Sequence, residues 1–188
     1  WKVTTDAAGW LSNRKEGNLL TITAGESLST KAQTAVVTVS SIDDPSLTCE
    51  IRVMQYGTGA TNLSALGTAN CYIARSLNSA YSFDATTMGN GRATTGIVPS
   101  ALAGTHAQVL WETGDVRGAV VKDALYADGR IHIQTGSTYG AAVVGLFDDD
   151  GTCLWSWHIW VVDYAPEATA QTYASGAVFM DRNLGALS

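Results

Sequence analysis

The sequence predicts an all-β protein built as two tandem β-sandwich domains. Three observations predict it. β-Branched residues, Thr, Ser and Gly are abundant, while strong amphipathic helix patterns are missing. Short runs of alternating apolar and polar residues recur along the chain, punctuated by turn residues. A small, polar, unpatterned stretch, Gly57-Thr-Gly-Ala-Thr-Asn62, separates one series of such runs from another and reads as a linker. The expected domains are therefore residues 1–57 and 63–188. At 188 residues, 46% hydrophobic and 15% charged, the chain can fill two modest cores with no disordered tract.

In the first domain, strands are expected at Trp1–Thr5, Gly9–Leu11, Leu19–Thr23, Gln33–Ser41 and Leu47–Tyr56. Turns are expected at Asn13–Asn18, Gly25–Ser29 and Asp43-Asp44-Pro45. The last strand alternates clearly: Leu47, Cys49, Ile51 and Val53 share a face expected to be core, and Thr48, Glu50 and Arg52 share a wet one. In the second domain the strand signals are Ala69–Ala74, Ala80–Phe83, Gln108–Glu112, Val116–Leu125, Arg130–Gln134, Gly140–Phe147, Cys153–Tyr164 and Ala177–Met180. Asp128-Gly129 and Asp150-Gly151 predict hairpin turns, because glycine reaches positive φ at no steric cost. The stretch from Met88 to His106 is the longest irregular segment and the best place for a functional loop. A single helical turn is expected around Pro99–Ala103.

Charge and cysteine usage narrow the function. The formal net charge is −6 and the basic residues are scattered singly, so no positive face is available for phosphates and nucleic acid is excluded as a partner. No apolar run approaches the length of a membrane span. The first residue is Trp, which reads as a processed form or fragment from which any export signal is gone, and the last residues read as an entry into further sequence. The three cysteines match no metal spacing. Cys49 reads as a small buried hydrophobe; Cys71 and Cys153 read as free thiols, or as a pair if their strands are neighbours.

The first segments, Trp1-Lys-Val, Gly9-Trp10-Leu11, Leu20-Thr-Ile-Thr, Ala35–Ser41 and Ile51-Arg-Val-Met-Gln55-Tyr-Gly57, resemble the BACON domain, an immunoglobulin-like module of gut Bacteroidota. Ala69–Ile73, Val109-Leu-Trp111-Glu112, Leu154–Trp160 and Met180-Asp-Arg-Asn-Leu-Gly185 are similar to a region of fimbrillin-like surface proteins of the same phylum. The resemblance implies an Ig-like followed by a fimbrillin-like sandwich in a secreted or cell-surface protein, with a glycan or mucin as partner.

The residues supply candidates for that binding. Three of six tryptophans lie in Trp155-Ser-Trp157-His-Ile-Trp160. By parity Cys153, Trp155, Trp157, Ile159 and Val161 share one face, and Leu154, Ser156, His158, Trp160 and Val162 the other. Both faces are apolar, which suits a central strand buried on both sides. The same pattern suits an aromatic platform on which Trp160 stacks a sugar ring and His158 bonds a hydroxyl. Where a single tryptophan of this run is exposed, Trp160 is the one expected. Trp111-Glu112 is a second candidate, as a stacking ring with an acceptor carboxylate. Asp148-Asp149-Asp150-Gly151 lacks the spaced oxygens of a calcium loop. His106, His132 and His158 lie far apart, with no zinc motif, and no nucleophile elbow, phosphate loop or dinucleotide fingerprint occurs. The reading is a non-enzyme without cofactor or metal. The competing reading is a stalk or pilin-like subunit that accepts a strand from a neighbouring copy into the first sheet, which by its resemblance to the BACON domain is expected to lack an edge strand.

Overall fold

The computed structural model describes residues 1–7, 9–27, 32–57, 59–96 and 98–179, and the chain is all-β, with one 3-10 turn, Pro166–Ala168, as the described helical element. The chain divides into two compact units, Trp1–Ala60 and Thr61–Ser188. The Met180–Gly185 segment, which carries part of the fimbrillin-like resemblance, lies outside the described residues.

The first unit holds β1 (Lys2–Thr5), β2 (Leu11–Glu16), β3 (Leu19–Ala24), β4 (Gln33–Ser40) and β5 (Thr48–Gln55). β4 is the centre of an antiparallel three-stranded sheet in the order β1-β4-β5, and β2 and β3 form a separate hairpin. Of the turn expected at Asn13–Asn18, residues 13–16 are strand: their side chains face water, and the turn narrows to Gly17-Asn18, with Gly17 at φ 57°. Leu11, Ala35 and Val37 form a small core with Val3, Trp10, Leu20, Ile22 and Val53 against them. Gln55 fastens the hairpin to the sheet: its amide donates to the Gly25 carbonyl and its Oε1 accepts from Gln33 at 3.1 Å. The Lys15 ammonium donates to the Trp1 carbonyl at 2.8 Å and lies 4.1 Å over the Trp1 ring.

This core ends sooner than alternation predicts. Cys49 is exposed and Leu47 is 64% exposed, although both share the parity of Val53. The apolar side chains that pack on the core, Val3, Ala7, Trp10, Leu20, Ile22 and Val53, do not include them. Parity therefore names the face of β5 correctly, but cover reaches only its Val53 end.

The second unit is a β-sandwich. Its strands are β6 (Thr61–Asn62), β7 (Cys71–Ala74), β8 (Ala80–Asp84), β9 (His106–Glu112), β10 (Val121–Ala127), β11 (Arg130–Thr135), β12 (Gly140–Phe147), β13 (Cys153–Val161), β14 (Gln171–Thr172) and β15 (Val178–Phe179). One four-stranded sheet runs β10-β11-β8-β6 and the other β7-β13-β12-β9; β14 and β15 pair with each other. The edge strands β6 and β7 run parallel to their neighbours β8 and β13. β6 falls within the stretch expected as a linker. The expected turn of helix near Pro99 is absent; Thr87 and Ala101 instead form an antiparallel bridge. The strand expected to start at Val116 starts only at Val121, and the residues before it are loop.

Inner faces of the two sheets supply the core: Tyr81, Phe83, Ile131 and Ile133 from one, Tyr72, Val144, Leu146, Trp157, Ile159 and Val161 from the other. Three rings cross it in sequence. Tyr72 stacks on Phe83 at 4.7 Å, and Phe83 meets Trp157 at 5.5 Å. Asp128-Gly129 turns the β10–β11 hairpin with φ of 51° and 75°, as the sequence predicts.

Candidate functional site

The outer face of the β7-β13-β12-β9 sheet brings two of the four expected site residues into one row. Val143 on β12 stands opposite both Trp111 on β9 and His158 on β13, and His158 stands opposite Cys71 on β7. The row therefore reads Trp111–Val143–His158–Cys71. Two strand spacings put Trp111 and His158 about 10 Å apart.

A bulge aims Trp111 outward. The β9–β12 register jumps between Val143↔Trp111 and Val144↔Val109, leaving Leu110 as the extra residue. Val109 packs on the core, and Leu110 lies against the outer side of Gly145, where an added Cβ would meet Leu110 Cδ1 at 2.9 Å. Leu110 and Trp111 thus both face out, 47% and 54% exposed. They line a shallow groove of about 310 Å³ with Gly114, Asp115 and Arg117 from the following loop.

Glu112 does not join them as a free acceptor. It sits opposite Ala142, and its carboxylate turns into the loop after β9. It accepts from the backbone N–H groups of Gly118, of Val120 at 2.8 Å and of Val121 at 3.3 Å. Residues 116–120 are wrapped around this carboxylate, which is why their apolar run does not become strand. The expected role of Glu112 as a hydroxyl acceptor is corrected to that of a loop anchor.

Trp160 is also corrected. Its parity is outward, opposite Ala141, yet it is 0% exposed, with the Tyr164 ring edge-on at 6.0 Å. Alternation assigns a side chain to a face without saying whether the chain returns to cover that face. Of the tryptophans in this run, Trp157 is buried too, while Trp155 is half-buried and donates through Nε1 to Asn70 Oδ1 at 3.2 Å.

His158 is half-buried, and its Nδ1 lies 3.2 Å from Cys71 Sγ. Burial pushes the Cys71 thiol up to about 11 and holds the His158 imidazole below the usual histidine range. The thiol is therefore protonated at neutral pH, and Cys71 Sγ and His158 Nδ1 share one hydrogen, its donor set by the imidazole tautomer. Cys71 does not pair with Cys153. Their strands are neighbours, but the register sets Cys71 beside His158, five residues from Cys153, or about 16 Å along a strand.

A labelling experiment checks this arrangement. Cys49 and Cys153 are exposed. At pH 8 an alkylating reagent should modify them at least about tenfold faster than Cys71, since the reactive species is the thiolate. Peptide mass spectrometry reads the rates, and equal labelling of Cys71 and Cys153 would contradict the burial described.

Sequence reasoning missed Leu110, Val143, Cys71, Asp115 and Arg117 as neighbours of Trp111 and His158. A bulge and a parallel pairing 87 residues apart bring them together, and neither leaves a local periodic signal. Elsewhere, Asp148 Oδ1 accepts from the N–H groups of Asp150 at 3.1 Å and Thr152 at 2.7 Å, closing the acidic hairpin on itself. Among the described residues no helix is long and apolar enough to cross a membrane.

No family model and no curated protein matches the chain. Two solved structures of SporoSAG are similar over much of its length. The cadmium-bound form shares 13% identity, with 80% of this chain and 68% of that one covered at a TM-score of 0.26. The structure of SporoSAG from Toxoplasma gondii shares 12%, with 87% and 73% covered at a TM-score of 0.24. Likeness at this level carries no argument about fold family or function.

Proposed function

We propose that the chain is a non-catalytic glycan- or mucin-binding module of a secreted or cell-surface protein, with Trp111 as its stacking platform. The observation that carries this reading is a tryptophan 54% exposed on a rigid sheet, held outward by a bulge beside the groove with Asp115 and Arg117. An indole face packs on the C–H face of a pyranose, and a carboxylate and a guanidinium nearby give its hydroxyls an acceptor and a donor. The surrounding Leu110 extends the apolar floor. His158 lies in the same row, across Val143, where a second sugar residue of a chain would reach. The resemblance of the first unit to the Ig-like BACON domain and of the second to fimbrillin-like proteins of Bacteroidota supports an extracellular setting.

The test is a panel of mucins and of plant and host glycans, read by binding of the purified chain and of Trp111→Ala. Binding is expected to fall at least about tenfold in the variant, consistent with loss of one stacked aromatic. Binding unchanged in Trp111→Ala rejects the platform. Trp160→Ala is expected to act through stability, since that ring is buried.

One observation favours the second reading, a stalk or pilin-like subunit. β5 is an edge strand whose apolar face stays open at Leu47 and Cys49, beside a groove of about 580 Å³ that Trp1 and Val39 also line. Such a site suits strand donation from a neighbouring subunit. Concentration-dependent polymerisation in sedimentation velocity, with no glycan binding, would favour it.

A further inference from the structure

Cys71 and His158 present a sulfur and a nitrogen to each other at 3.2 Å from adjacent parallel strands. We propose that this pair is a binding site for a soft, monovalent, two-coordinate metal ion of the Cu(I) and Ag(I) class. The site lies across Val143 from the Trp111 groove and shares His158 with the row proposed for a glycan, but it does not depend on the glycan reading.

Donor type comes first. Thiolate sulfur selects soft ions, and imidazole is a good second ligand for them. Both donors stand on rigid elements: the backbone N–H of His158 donates to the Asn70 carbonyl at 2.9 Å, which ties β13 to the residue just before Cys71. Bond lengths of metals to sulfur and nitrogen put the donors of a linear bridge about 4 Å apart. The pair must open by only about 1 Å, within reach of side-chain rotation on half-buried residues.

Charge and ligand count then choose between ions. A thiolate, a neutral imidazole and a monovalent cation sum to zero. A neutral complex suits a half-buried position flanked on the same face by Val143 and Ile73. A divalent ion such as Zn²⁺ leaves a net positive charge and calls for two further ligands. Among the described residues no group of three or more His, Cys, Asp or Glu can supply them. Binding replaces the shared hydrogen with the metal: the S–H bond breaks, Sγ and Nδ1 each bind the ion, and one proton leaves to solvent. The displaced hydrogen leaves as a proton, so each bound ion releases one proton at neutral pH.

The experiment is an Ag⁺ titration of Cys49→Ser/Cys153→Ser protein, which removes the two exposed thiols. Expected are one equivalent bound and about one proton released per ion at pH 7. Adding Cys71→Ser should abolish binding, and adding His158→Gln should weaken it at least about tenfold. Zn²⁺ at the same concentration should bind more weakly. No binding to the double-serine protein, affinity indifferent to His158→Gln, or Zn²⁺ binding equal to Ag⁺ would each overturn the proposal. Should the His158 variant fail to fold, the ¹⁵N shift of His158 Nδ1 in the double-serine protein decides. It moves on Ag⁺ addition if the ring is a ligand and stays if it is not.

Discussion

Trp157→Ala is expected to destabilise the sandwich unit by about 3–5 kcal/mol, more than loss of any single surface contact of this chain. Trp157 is 1% exposed and lies at the end of the ring series Tyr72–Phe83–Trp157 that joins the two sheets. Removing it takes away the transfer free energy of the indole and opens a cavity that rigid strands on both sides cannot close. Trp157→Phe keeps most of the volume and the contact with Phe83, so it should cost well under half as much. Urea unfolding of both variants provides the check, with the midpoint falling at constant slope. A loss below about 1 kcal/mol for the alanine variant would mean that the inner faces are not packed as described.

Glu112→Ala is expected to cost about 2–4 kcal/mol through a different mechanism. Its carboxylate receives the backbone N–H groups of Gly118, Val120 and Val121. Charge-assisted bonds of this kind are stronger than neutral ones, and truncation leaves the three donors without their acceptor. The loss should be local as well as global. Hydrogen exchange at residues 118, 120 and 121 should accelerate before the strands open. Because Asp115 and Arg117 ride on the same loop, the glycan binding proposed for the Trp111 groove should also weaken in this variant. Glu112→Gln keeps one acceptor oxygen and should lie between. If exchange at these amides does not change in Glu112→Ala, the carboxylate is not what holds the loop.

Some of this architecture is legible in the amino-acid order. β12 runs from Gly140 to Phe147, the bounds of its strand signal in the sequence, and the Asp128-Gly129 hairpin follows from the φ that glycine permits. The polarity of Ser12–Glu16 conceals a strand, because a hairpin wet on its outer side needs few apolar residues. Val116–Val120 has strand composition but answers to a carboxylate elsewhere in the chain. The site was legible as a set of residue types and not as an arrangement. Trp111 and His158 were both visible as candidates, but the bulge at Leu110 breaks the period of two, and the row they share depends on strand register across β12. Trp160 shows the complementary gap: its face is right, and its burial is set by chain that packs over it.

The stretch from Thr61 to Ala74 gives an edge strand to each sheet of the sandwich, β6 to one and β7 to the other. This has a consequence for biosynthesis. β6 finds its neighbour, Tyr81-Ser82, within about twenty residues, but β7 waits for His158–Val161, nearly half the chain away. On a ribosome that delivers residues in order, Cys71–Ala74 emerges early and stays unmatched until the tryptophan strand is made. Closing so long a loop is a slow, entropically costly step. The β7 edge of the sandwich is thus made before most of its strands and finds its partner only when β13 is complete.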